Sequence, residues 1–216
     1  DDTVVAAGTS IGVRGSPFGR ASSDGARSHV ELRVDGSGER YAPGTWVDGT
    51  RPPGATRTNA GVAFDGNVQI ARIATFAASA RGDMWIDASS DGAADKTELR
   101  PTGNVGVEVP LASEMLTLAS HAGFVARPPT FVERYGNRGS FLGNASIKTE
   151  SAFTVDAGAR FVRRFGPLRL QAESSGFATF ADDLIVFRFR GANGRSEAVN
   201  IGEARLYGIE SEVRAG

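Results

Sequence analysis

The sequence predicts an all-β protein, a meander of about nine antiparallel strands that reads as a segment of a transmembrane β-barrel. Short stretches with a period of two recur along its whole length. Clusters of Gly, Asp, Asn, Ser and Pro separate them, and the connectors alternate between short and long. That last asymmetry suits a barrel with tight turns on one side of a membrane and larger loops on the other.

The expected strands run Val4 to Arg14, Ser28 to Gly36, Thr56 to Phe64, Val68 to Ala80, Thr102 to Val109, Met115 to Ala126, Ser151 to Arg163, Leu168 to Phe189 and Ala198 to Val213. In the second, His29, Glu31, Arg33 and Asp35 alternate with Val30, Leu32 and Val34, so one face is oily and the other wet. The seventh sets Phe153, Val155, Ala157, Ala159 and Phe161 against Thr154, Asp156, Gly158 and Arg160, and the eighth sets Leu168, Leu170 and Ala172 against Arg169, Gln171 and Glu173. The last two strands exceed the roughly 9–11 residues that cross a bilayer at a tilt, and are expected to project beyond it. Short connectors are expected at Asp65-Gly66-Asn67, Pro110 to Glu114 and Arg163 to Pro167. Long ones are expected at Ala42 to Gly54, Ser89 to Arg100 and Arg127 to Glu150. No segment reads as a helix, and no linker splits residues 1–216.

Composition excludes several classes of function. Lys+Arg 24 against Asp+Glu 25 leaves a formal charge of -1, so no basic stripe offers itself to nucleic acid. The absence of cysteine removes thiolate metal sites and cysteine nucleophiles. Only His29 and His121 are available for histidine chemistry. No run of 18 apolar residues suits a membrane helix. Ser120 and Ser140 lack a nucleophile-elbow context, and Gly12 to Gly19 lacks phosphate-loop spacing. The chain is not expected to be an enzyme.

From Arg127 onward the residues carry a resemblance. The run Arg127-Pro128-Pro129-Thr130-Phe131-Val132-Glu133-Arg134-Tyr135-Gly136 is followed by Gly143-Asn144-Ala145-Ser146-Ile147-Lys148-Thr149-Glu150-Ser151 and Asp156-Ala157-Gly158. Further on come Asp183-Leu184-Ile185, Asn200-Ile201-Gly202-Glu203-Ala204-Arg205 and Gly208-Ile209-Glu210. These blocks resemble the barrel of TonB-dependent outer-membrane receptors. Ala145 and Thr149 stand where the family usually has proline. The resemblance implies a barrel of about 22 strands plugged by a separate domain, located in the outer membrane of a Gram-negative bacterium. Its partners would be outer-membrane lipid, the plug and the TonB complex. The cargo would be a scarce nutrient such as a siderophore, cobalamin or glycan. The chain then reads as an internal segment, without plug or C-terminal strands, and its first and last strands are expected not to pair.

Two sets of residues invite a closer assignment. Arg127, Glu133, Tyr135, Asn137 and Arg138 lie in the longest connector, where side chains on a rigid scaffold commonly meet ligands; the alternative is that Arg127 and Glu133 hydrogen-bond within the wall. Asp87, Ser89, Asp91, Asp95 and Glu98 fall at loop positions 1, 3, 5, 9 and 12, with Gly92 at 6, as in a calcium-binding EF-hand loop. Their strand-like flanks favour a solvated acidic loop as the alternative. Glu31, Arg33, Asp35, Asp156, Arg160, Arg169 and Glu173 are expected to line a hydrated interior, and His121 to face it with a hydrogen-bond partner. A competing reading of another class is a soluble β-rich adhesin or carbohydrate-binding module, in which two sheets bury their apolar faces against each other.

Overall fold

The computed structural model describes residues 2–16, 28–44, 51, 53–71, 73–92, 95–112, 115–137, 141–190 and 194–216. They form β1 (Thr3–Gly15), β2 (His29–Ala42), β3 (Ala55–Ile70), β4 (Ala74–Ser89), β5 (Lys96–Leu111), β6 (Leu116–Arg127), α1 (Phe131–Tyr135), β7 (Phe141–Leu142), β8 (Glu150–Phe165), β9 (Leu168–Arg190) and β10 (Arg195–Ala215). All ten strands lie in one sheet, ordered β1-β2-β3-β4-β5-β6-β8-β9-β10-β7. Every pairing is antiparallel except the short parallel contact of β7 with β10.

The nine expected strands are the nine long ones, with one misplaced turn. Asp65-Gly66-Asn67 does not close a hairpin; it lies inside β3, opposite Ser79, Ala78 and Ala77. Asn67 serves the neighbouring strand, its Oδ1 accepting from the His29 amide at 3.0 Å. The ladder therefore continues to Ile70, and the turn forms beyond it, where Ala71 takes the positive φ of 49° and the Ile73 amide donates to the Ile70 carbonyl at 3.0 Å. The expectation of no helix also fails. The five-residue α1 is too short to show a 3.6-residue period and is set up locally by a capping box.

Pairing in register turns the alternation of each strand into two continuous faces. Leu32, Phe64, Ala80, Gly103, Phe124, Phe153 and Phe180 are successive partners across seven strands. The large members of this row are all exposed, Phe124 at 40% and Phe180 at 46%. The opposite face carries Glu31, Arg33, Asp35, Arg81, Asp83, His121, Asp156 and Arg160, and it is the face on which α1 packs through Tyr41, Arg57 and Asp87. Arg81 bridges Asp35, at 2.7 and 2.8 Å, to Asp83, and His121 meets Asp156 at 3.2 Å.

Among the described residues the sheet is open: β1 pairs only with β2, and β10 only with β9 and β7. Among the described residues all strands belong to this one sheet, rather than to the two facing sheets that the sandwich reading requires. Successive reversals place connectors 43–54, 90–95, 128–149 and 191–194 at one end of the sheet, and the tight turns 71–73, 112–115 and 166–167 together with the longer connector 16–28 at the other. The three connectors expected to be long thus share one end.

Candidate functional site

The buried core of the molecule gathers where connector 128–149 folds back over the charged face. Tyr41, Ala55, Phe131 and Tyr135 form its apolar centre, with Tyr41 stacked on Phe131 at 5.5 Å between ring centroids. Thr130 starts α1 by accepting from the Glu133 amide, and the Glu133 carboxylate returns the bond to the Thr130 amide at 2.6 Å. Gly136 ends it with φ +80°, its amide donating to the Val132 carbonyl at 2.9 Å. Gly143 then passes so close that a Cβ there would meet the Tyr135 carbonyl carbon at 2.4 Å.

A chain of charges holds the helix to the wall. Asp87 on β4 receives two hydrogen bonds from Arg57, at 2.6 and 2.8 Å, and a third from Arg134 on α1. Arg57 also donates to the Pro129 carbonyl at 2.7 Å and lies over the Phe131 ring at 5.2 Å. Glu98 on β5 pairs with Lys96, accepts from the Thr149 hydroxyl, and lies 3.9 Å from Arg134. A second group starts at Arg127, which binds Glu150 at 2.6 and 3.0 Å and Glu133 at 3.1 and 3.2 Å. Glu150 in turn accepts from the Ile185 amide at 3.0 Å. Burial raises the Tyr135 phenol above its ordinary pKa, and the nearby Asp87 carboxylate adds to the rise.

These contacts fix the place of each expected site residue. Arg127 and Glu133 hydrogen-bond within the wall, Tyr135 is buried at 5% exposure, and Asn137 accepts the Phe141 amide at 2.9 Å. Arg138 lies outside the described residues. The five calcium-spaced residues do not converge as one shell: Asp87 and Glu98 turn to the charged face and hold basic side chains, while Asp91 and Asp95 approach Ser89, at 2.8 and 3.3 Å from its hydroxyl. Among the described residues no group of three or more His, Cys, Asp or Glu could hold a metal ion.

The motif residues that carried the resemblance hold the same connector. Pro129 is fully buried. Asn144 donates to the Ala198 carbonyl at 2.9 Å, and Asn200 accepts from the Lys148 amide at 2.8 Å while donating to the carbonyls of Lys148 and Asp183. Lys148 reaches Asp183 at 3.3 Å. Ser151, the second residue of β8, stands opposite Asp182. Gly158 admits the Ser174 carbonyl, which a Cβ would meet at 2.8 Å, and Gly208 receives the Phe177 ring. Glu210 stands exposed opposite Ser175.

Tyr41 and Arg57 were not singled out by sequence, and Thr149 only as a departure from the family's usual proline. Alternation places Arg57 on the charged face, but one sequence does not say which charges will meet.

A family model described as TonB dependent receptor-like, beta-barrel, matches residues 6–216. The chain belongs to this receptor family. It is a family of transport receptors rather than enzymes. Solved structures agree in fold. The Serratia marcescens hemophore receptor HasR, in complex with its hemophore HasA and heme, superimposes with a TM-score of 0.71 at 14% identity, over 99% of this chain and 39% of that one. The FrpB iron transporter from Neisseria meningitidis gives 0.69 at 15% identity, over 98% and 34%. The copper transporter OprC gives 0.66 at 19% identity, over 87% and 32%. The chain thus spans about a third of the length of these receptors. No curated protein matches it.

Proposed function

We propose that this chain forms part of the barrel wall of an outer-membrane receptor that takes up a scarce nutrient under the drive of the TonB complex. The observation that carries the reading is the two-faced sheet, with phenylalanines in register on one side and paired charges on the other. A row of exposed aromatics without a covering sheet suits acyl chains. A face of Arg, Asp, Glu and His suits a hydrated interior and the polar surface of a plug domain. The end bearing connectors 43–54, 90–95 and 128–149 then faces outside.

For the cargo we propose a metal chelate, because the neighbouring structures include copper, heme and iron transporters and a receptor for ferric enterobactin. Among the described residues expected to touch substrate, Arg127 is well placed to do so, since 42% of its side chain is exposed while Glu133 behind it is enclosed. Cells carrying the full-length receptor should accumulate labelled ferric siderophore, heme or copper chelate only when TonB is present. Equal accumulation without TonB, or none for any metal chelate while a metal-free glycan is taken up, would refute the drive or the cargo class respectively.

A further inference from the structure

We propose that residues 128–137 and 141–149 are a fixed internal brace across the long-connector end of the barrel, and that they keep their place while substrate is bound and passed. The strongest reason is the reach of the segment. On one side Tyr41 of β2 donates to the Gly136 carbonyl at 2.7 Å, and Arg57, Asp87 and Glu98 tie β3, β4 and β5 to Pro129, Arg134 and Thr149. On the other side Phe141 and Leu142 pair with Ser196 and Glu197 of β10, Phe141 packs on Phe187 of β9 at 4.4 Å, and Asn144 and Lys148 bond to Ala198 and Asn200. The two halves meet at the Gly136–Leu142 bridge.

That path is short compared with the sheet it crosses. Seven strand steps separate β2 from β10, roughly 34 Å in a flat sheet at about 4.8 Å per step. Through the brace the same strands are joined by the length of the Tyr41 side chain, its hydrogen bond of 2.7 Å and two backbone pairs of about 5 Å each. The segment therefore lies along a chord of a curled wall and sets its width at that end.

Its interior is not that of a moving loop. Segments that open readily have few buried contacts and solvated backbone bonds. Here Ile147 is completely enclosed, Pro129 is nearly so, and Asp87 and Arg134 are held at about 3% exposure. Pulling α1 away would take Arg134 from Asp87 and the Pro129 carbonyl from Arg57. Movement on binding is then confined to the other connectors of that end.

The transport part of this inference rests on the receptor reading above; the structural part does not. In the full-length receptor in membranes, hydrogen exchange should find the amides of Arg134, Gly136, Asn144 and Ile147, all bonded within the brace, protected at least roughly tenfold relative to unbonded loop amides, with no change on adding ferric siderophore. A Leu142→Cys, Glu197→Cys pair, on adjacent partners of the parallel bridge, should form a disulfide, since such neighbours fall within the roughly 4.4–6.8 Å Cα range it needs. Uptake should be the same oxidised and reduced. Unprotected amides, a pair that fails to cross-link, or uptake lost on oxidation and restored by reductant would each overturn the brace. A receptor with protected amides but no TonB-dependent uptake would refute the functional reading and leave the brace standing.

Discussion

Arg134 on α1 donates to a carboxylate oxygen of Asp87, 47 residues earlier in the chain, and both side chains are almost wholly buried. Arg57 takes the remaining places on the same carboxylate. One acidic group therefore neutralises two cations. Removing it takes the paired carboxylate from Arg57 and leaves Arg134 only the longer contact with Glu98 at 3.9 Å, and breaking a buried pair from one side costs about 3–5 kcal/mol. Asp87→Ala should lower the urea midpoint of the detergent-solubilised receptor by that equivalent. Arg134→Met should cost less, because Asp87 then still has Arg57. Equal midpoints for wild type and Asp87→Ala would show that the network does not hold α1.

The cap of α1 offers a smaller and cleaner perturbation. Thr130→Ala removes the side chain that accepts the Glu133 amide, at a cost of about 1 kcal/mol. Thr130→Ser should restore most of it. Amide exchange of Glu133 and Arg134 is the suitable readout, and no acceleration in the alanine variant would rule the capping box out as a support.

Facing is tested by charge. Phe153 lies in the apolar row between Phe124 and Phe180, so Phe153→Arg should reduce assembled, heat-resistant protein, with a cost of about 2–4 kcal/mol near the bilayer midplane. Thr154→Arg, one residue away on the charged face, should assemble normally. If the two variants assemble alike, the faces are reversed or not exposed to lipid.

The Tyr135 phenol gives a pH signature. Its pKa is raised from 10.0 by burial, so the folded state holds the proton more tightly than the unfolded chain does. The packing of α1 is then fully present below pH about 10 and is lost as pH climbs through the folded value. Tyr135→Phe should lessen that alkaline loss without abolishing it, because the buried Tyr41 phenol, which donates to the Gly136 carbonyl, also holds α1. Absorbance of phenolate at alkaline pH, followed together with exchange of the α1 amides, should show both events coinciding in wild type.

Much of the wall was legible because period-two alternation survives wherever one face meets oil and the other water, as from Val30 to Val34 and from Phe153 to Phe161. The turn after β3 was not, because Asp65-Gly66-Asn67 has turn chemistry but is held in the ladder by pairing on both sides. The motif residues from Arg127 to Glu150 marked the right segment, while their role depends on Tyr41, Arg57, Asp87 and Glu98, which lie 29 to 86 residues earlier than Arg127 in the chain. Asp87 shows the limit most plainly: its spacing from Asp91 and Asp95 suggested a cation's oxygen ligand, and the fold supplies arginines as the cations instead.

The small strand β7 leaves the two borders of the sheet unequal. β1 offers hydrogen-bonding groups along Thr3–Gly15, whereas Ser196 and Glu197, near the start of β10, are already taken by Phe141 and Leu142. Among the described residues none pairs with the outer edge of β1, so a strand adding there is aligned by its own side chains. One adding to β10 meets a stop. Because a slip of a single residue turns every side chain to the wrong face, such a stop acts as a gauge: it fixes how far the incoming strand can travel, and so which of its residues are delivered to lipid and which to water.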